Sequence, residues 1–208
     1  MEHFSFEMQH LLDGYQNGEL NMDQLLAGYA QIGTEGHDLK PYASILEHAK
    51  NNKESVKLHA GFIPRTYART LMRQGEQECI KETIAKDYIA SDVKSFEGSD
   101  FHYNLFESMI SGRNMHDPDL KPNEAYKNIF KAQLIKDYSM AHLICKLLSK
   151  DTEDQKYLIL AGKGHQQHYC GVPELVFKSY PSMKPLSSLV VIHESDYDID
   201  LDQNDETV

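Results

Sequence analysis

Basic residues are scarce in this chain of 208 residues: 21 lysines and arginines stand against 32 aspartates and glutamates, for a formal net charge of −11. That shortage disfavours a duplex nucleic-acid partner, because phosphate binding needs a basic face. Cysteine is scarcer still. Cys79, Cys145 and Cys170 lie far apart with no CxxC pair, which argues against a disulfide framework or a zinc ribbon and for a reducing compartment. No stretch approaches the roughly 20 apolar residues of a membrane span, and acids and amides interrupt the first twenty positions, "MEHFSFEMQHLLDGYQNGEL". Neither a span nor a targeting segment is expected, which leaves the cytoplasm as the default location. Two nucleotide motifs are also missing around Gly162 and Gly164: position 167 is Gln where GxGxxG needs glycine, and Lys163 is not followed by Ser or Thr as a P-loop requires. No internal repeat recurs at a fixed period.

What is present reads as one domain. "SFEMQHLLDGYQ" places Phe6, Leu11, Leu12 and Tyr15 near helical spacing, and "NMDQLLAGYAQI" follows with Asn21 as its N-cap. Pro41 suits the first turn of a third helix, "PYASILEHAKNN". "SVKLHAGFIPR" alternates apolar and polar residues up to Pro64, the pattern of a strand leading into the helix "PRTYARTLMRQG". The middle is helical, and the longest helical pattern runs from Glu124 to about Ser149. "YLILA" is a short continuous apolar run, as expected of a parallel strand buried on both faces, and "SLVVIH" reads as a last strand. The expected fold class is therefore α/β: a mainly parallel sheet flanked by helices, helix-rich, over residues 1–193, with an acidic disordered tail at 194–208.

In an open α/β sheet, ligands bind outside the carboxyl ends of the strands. Gly162, Lys163, Gly164 and His165 stand at one such end, and His59, Gly61 and Arg65 at another. The glycines permit a sharp turn that presents His165 at the rim. If residues 165–169 form a helical turn, His165, His168 and Tyr169 share one face, and such donors suit iron or haem. Arg65 and Arg69, one turn apart, can hold carboxylates. The purely structural readings stay open: a tight turn at "GKG", a satisfied histidine at 165, a packed histidine at 59, a solvated Lys163, a buried thiol at Cys170, and Asp137 and Met140 that cap, pair or pack.

Taken together, these segments resemble the ChaN-like haem-binding family, in the superfamily that also holds the Tiki and erythromycin-esterase-like proteins. Four stretches carry the resemblance in order: "MEHFSFEMQHLLDGYQNGEL", "YASILEHAKNNKESVKLHAGFIPRTYARTLMRQG", "KAQLIKDYSMAHLI" and "LILAGKGHQQHYCGVPELV". The third contains the family's Ala-Gln, Asp and Met-Ala positions as Ala132, Gln133, Asp137, Met140 and Ala141. Residues 76–120 carry little of it. The resemblance implies a non-catalytic haem- or iron-associated binding protein, with His165 and Tyr169 as ligands to the metal. Gly162, Gly164, His168, Arg65 and His59 would complete the cofactor site, with Arg65 nearest the propionates. A homodimer is compatible with this reading. Members of the superfamily usually begin with a strand that ends in a Gly-Glu-x-x-His motif, and none stands before Met1-Glu2-His3-Phe4. A shortened form, or a start at an internal methionine, is therefore expected. Two alternatives remain: a metal-dependent hydrolase of the Tiki or erythromycin-esterase kind, with Glu2 as its carboxylate, and a degenerate scaffold without ligand.

Overall fold

The computed structural model describes residues 1–32, 36–114, 123–150 and 155–179. Eight α-helices form among them: α1 (Gln9–Asn17), α2 (Met22–Ile32), α3 (Ala43–Asn51), α4 (Thr66–Gln74), α5 (Glu76–Ala85), α6 (Asp100–Ser111), α7 (Glu124–Leu148) and α8 (Val172–Ser179). Their starts follow from local chemistry. Asn21 and Gln24 cap α2 reciprocally, each side-chain oxygen accepting from the other's backbone N–H at 2.9 Å. Ser99 caps α6 through the His102 N–H at 3.2 Å, and Asn123 caps α7 through the Ala125 N–H at 3.0 Å. The long helix α7 is central and packs against α4, α6 and α8.

The expected parallel sheet does not form among the described residues. Among the described residues there is no strand, and the one isolated bridge joins Ser5 and Phe62 in parallel. Three extended stretches nevertheless meet. The Met1 amino group donates to the His59 carbonyl at 2.7 Å, the Glu2 N–H to Leu160 O at 2.8 Å, the Gly61 N–H to Phe4 O at 2.8 Å and the Phe6 N–H to Phe62 O at 2.8 Å. The first six residues thus lie between the other two stretches. Gly61 is required there, because a Cβ would stand 2.4 Å from the Met1 carbonyl oxygen.

The physical reason for the missing ladder is side-chain substitution. Two glutamines of α1 partner the backbone that a neighbouring strand would otherwise hold. Gln16 donates to Val56 O at 2.6 Å and accepts from the Leu58 N–H at 3.2 Å, while Gln9 donates to Leu58 O at 3.0 Å and accepts from the Ala60 N–H at 2.8 Å. Further along, Ser139 of α7 accepts from the Ile63 N–H at 3.2 Å. The backbone groups are satisfied without a sheet, as buried polar groups must be. "YLILA" departs further from expectation: Leu158 is 80% exposed and Ile159 40%, so this run is no doubly buried strand. The expected last strand and the acidic tail lie outside the described residues.

Two apolar clusters make the core. Phe4, Met8, Leu12, Leu25 and Leu46 build one, and Phe62, Ile63, Leu134, Ile135 and Met140 belong to the other. The segment 58–63 passes from the first to the second, with Leu58 and Ala60 in one and Phe62 and Ile63 in the other. No helix among the described residues is long and apolar enough to cross a membrane.

Replacing Gln16 by Leu keeps the side-chain volume but strips partners from Val56 O and the Leu58 N–H. The cost is about 1–3 kcal/mol for each buried group left unsatisfied. Chemical denaturation should show that loss, whereas Asn17→Ala at an exposed position of α1 should change stability by no more than about 0.5 kcal/mol.

Candidate functional site

Residues from three other parts of the chain converge on His165. Gln133 and Asp137 stand one turn apart on α7 and so share a face. His102 comes from α6, with its ring edge-on to Phe130 at 4.8 Å. Glu2 arrives on the extended first segment. His165 itself ends a short 3-10 turn, Lys163–His165, and is 5% exposed.

The imidazole is held from both sides. Its Nδ1 lies 2.5 Å from Asp137 Oδ1 and its Nε2 lies 3.3 Å from Glu2 Oε1. The second Glu2 oxygen accepts from the Gly162 N–H, and the Gln133 amide donates to Gly164 O at 3.2 Å. Two carboxylates face the two ring nitrogens, and the Gln133 amide nitrogen also stands 2.9 Å from Nδ1; the paired negative charges favour the imidazolium form of His165. Burial works against that charge, but the hydrogen bonds and charges of Asp137 and Glu2 outweigh it and raise the His165 pKa to about 9. Glu2 mirrors this: burial pushes its carboxyl up, yet His165 and the Gly162 N–H bring it down to about 2. Asp137 is raised, because its burial outweighs the attraction of His165.

Behind this clasp the polar accounting is incomplete. Asp137 Oδ2 and both ring nitrogens of His102 are buried without a hydrogen-bond partner, and His102 Nε2 stands 3.9 Å from Asp137 Oδ2, beyond hydrogen-bond reach. Burial, then the neighbouring His165 charge, hold the His102 pKa down to about 4, so this ring is neutral beside a cation. Gly171 closes the base of the turn at a φ of 67°, where a Cβ would meet the His165 carbonyl oxygen at 2.8 Å and Asp137 Oδ2 at 3.1 Å. Only glycine combines that backbone angle with that approach.

The sequence-predicted residues divide. The single helical face for His165, His168 and Tyr169 is not formed: two 3-10 turns, Lys163–His165 and Gln167–Tyr169, meet at Gln166, and His168 and Tyr169 take left-handed φ values of 55° and 60°. His165 therefore points into the core region while His168 and Tyr169 are exposed, Tyr169 by 52%. Gly162 is at φ −59°, so its role is to bring its N–H to Glu2 rather than to reverse the chain. A Cβ at Gly164 would lie 3.4 Å from Met109 Cε and 3.6 Å from Gln133 Nε2, ordinary contact distances that open no space for a flat ligand. His59 sits across the Met1–Glu2 segment from His165 and lines a cavity, with burial lowering its pKa. Arg65 is exposed at the start of α4, and Lys163 is exposed in the turn. Cys170 is a buried thiol whose pKa is raised by burial. Among the described residues, no group of three or more His, Cys, Asp or Glu side chains is disposed to hold a metal ion.

From the sequence, Asp137 is expected to cap, pair or pack and, with Gln133, to fill a position of the family pattern, while Glu2 is reserved for a hydrolase; neither is expected opposite His165. The i, i+4 spacing of Gln133 and Asp137 on the long helix was the available signal for one of them. Nothing in the sequence marked His102.

The family model described as "Haem-binding uptake, Tiki superfamily, ChaN" matches residues 1–176, and the chain belongs to that family. No curated protein matches the chain, and no solved structure does.

The clasp makes stability depend on pH in a definite way. His165, raised above its ordinary 6.5, contributes stability that is full below about pH 6.5 and is lost as pH rises through about 9. Glu2, depressed from 4.5, contributes stability that is full above about pH 4.5 and is lost as pH falls toward 2. Asp137 acts oppositely: its raised pKa means that ionisation takes stability away as pH climbs past 3.8. His165→Gln, which leaves two buried carboxylates without their cation, should cost about 3–5 kcal/mol near pH 6. Thermal melts from pH 7 to 10 should show the gap between parent and variant narrowing; a constant gap would mean that the ring carries no charge.

Proposed function

We propose that this chain binds haem without transforming it, at the exposed turn 167–171, with Tyr169 and His168 as the donors toward the iron. The observation that carries the reading is the pair of consecutive left-handed residues at that turn, neither of them glycine. Such conformations cost on the order of 1–3 kcal/mol each and persist where the surroundings enforce them, a feature of ligand clamps. Here the strain turns a phenol and an imidazole to solvent beside apolar side chains. Phe101 of α6, 46% exposed, meets the His168 ring at 6.0 Å, and Met109 of the same helix reaches Gly164. Tyr and His are both established axial donors of haem. Exposed apolar groups rimmed by polar ones are the expected wall for a flat porphyrin.

His165 does not fit that donor role. Both of its nitrogens are committed to carboxylates, so the proposal departs from the sequence expectation there. Its part is to hold the base of the turn, so that His168 and Tyr169 are presented from a fixed support. The hydrolase alternative loses its carboxylate for the same reason, because Glu2 is occupied by His165 and the Gly162 N–H. Haem, when bound, would supply the iron centre that the Tyr169 phenol and the His168 imidazole hold.

Titrating the protein with ferric haem should give a saturable Soret shift. Tyr169→Phe combined with His168→Ala should weaken binding about tenfold or more, or move the band, since axial-ligand identity sets the haem spectrum and affinity. His10→Ala, on the exposed side of α1, should leave the titration unchanged. A double variant that titrates like the parent would place the iron donors elsewhere.

A further inference from the structure

The cavity that His59 lines, of about 370 Å³, lies on the other side of the Met1–Glu2 segment and plays no part in the turn just described. Its walls are apolar, supplied by Ile45 of α3, by Leu143 and Leu147 of α7 and by the run Leu158–Leu160. That lining explains why "YLILA" is apolar although Leu158 and Ile159 are exposed: the run faces an opening rather than a sheet. Contiguous exposed apolar surface on a protein marks a ligand or partner site.

The charges at this cavity select the ligand. Lys57 and Lys156, both exposed, line it. The lysines that pair with carboxylates among the described residues are Lys81, Lys127, Lys131 and Lys146, so neither cavity lysine is among them. Two such ammonium groups are notable in a chain with a net charge of −11. Glu2 is the carboxylate that lines the cavity, and its charge is already answered by His165 and the Gly162 N–H. His48 and His59 also line the cavity and add no carboxylate to it.

We propose that this cavity is a binding site for a long-chain monocarboxylate of the fatty-acid type. The alkyl tail lies among α3, α7 and residues 158–160, and the carboxylate meets the ammonium groups of Lys57 and Lys156. An apolar tail alone would use the walls and leave the lysines idle; a small anion would use the lysines and leave the walls wet. A single-headed amphiphile matches both halves of the site.

Titration of the full chain with cis-parinaric acid, read by its fluorescence, tests this directly. Saturable binding is expected, displaced by decanoate, dodecanoate and tetradecanoate with a gain of about fourfold per added methylene, the factor equivalent to about 0.8 kcal/mol per buried CH₂. Lys57→Glu with Lys156→Glu, two exposed changes that leave the core intact, should weaken the carboxylates about tenfold or more while sparing the alcohol of equal length, and raised salt should do the same more mildly. Leu143→Trp, which fills the cavity, should abolish binding of acid and alcohol alike. The Tyr169→Phe, His168→Ala protein should bind parinarate as the parent does, which separates this site from the haem turn. The proposal is overturned if no saturable signal appears, if the charge-reversed protein binds acids like the parent, or if binding is lost with Tyr169 and His168.

Discussion

The imidazolium of His165 joins three stretches that are distant in sequence and share no helix. Through Glu2 it holds the first residues of the chain, through Asp137 the long helix α7, and through its own backbone the turn that ends in His168 and Tyr169. Each partner depends on the others. Two buried carboxylates without the cation would be strongly unfavourable, and the cation alone would lose its proton to burial. The turn rests on this arrangement, because Gly171 packs directly against Asp137 Oδ2 and the His165 carbonyl. A strained pair of residues at the surface is tolerable only on a support that does not yield.

The same constraint orders the rest of the molecule. Glu2 can reach His165 because the first six residues are pinned between the 56–63 and 157–162 stretches, and those stretches are pinned by helices. Gln9 and Gln16 take up the backbone of residues 56–60, and Ser139 takes up that of Ile63. Side chains therefore do the work that an adjacent strand does in a sheet, and the first segment has the exposed turn on one side and the apolar cavity on the other. In the two proposals the turn holds haem and the cavity supplies methylene contacts and positive charge, so the two would take different ligands.

Much of the helical content was legible from local signals. Asn21 at an N-cap, Pro41 in a first turn and the long apolar face of 124–148 each correspond to a helix in the structure. The sheet was misread because alternation in "SVKLHAG" and continuity in "YLILA" report burial and contact, not hydrogen-bond partners. In one segment the partners are glutamine side chains roughly forty to fifty positions away, and in the other the apolar face lines a cavity. Neither arrangement leaves a periodic trace. At the site, the family resemblance drew attention to the 162–171 region, but the orientation of His165 could not be read from spacing. It turns inward because two carboxylates from remote segments await it, and because His168 leaves the helical region so that Tyr169 does not follow.

Nitrogen-15 and proton NMR of the His165 ring tests the account most directly, since it observes the charge on which the rest depends. The imidazolium form, with both ring nitrogens protonated at neutral pH and a midpoint near 9, is the predicted result. A neutral ring at pH 7 that titrates at or below the ordinary 6.5 would contradict it, because one of the two carboxylates would then face an unprotonated nitrogen and the clasp would not exist.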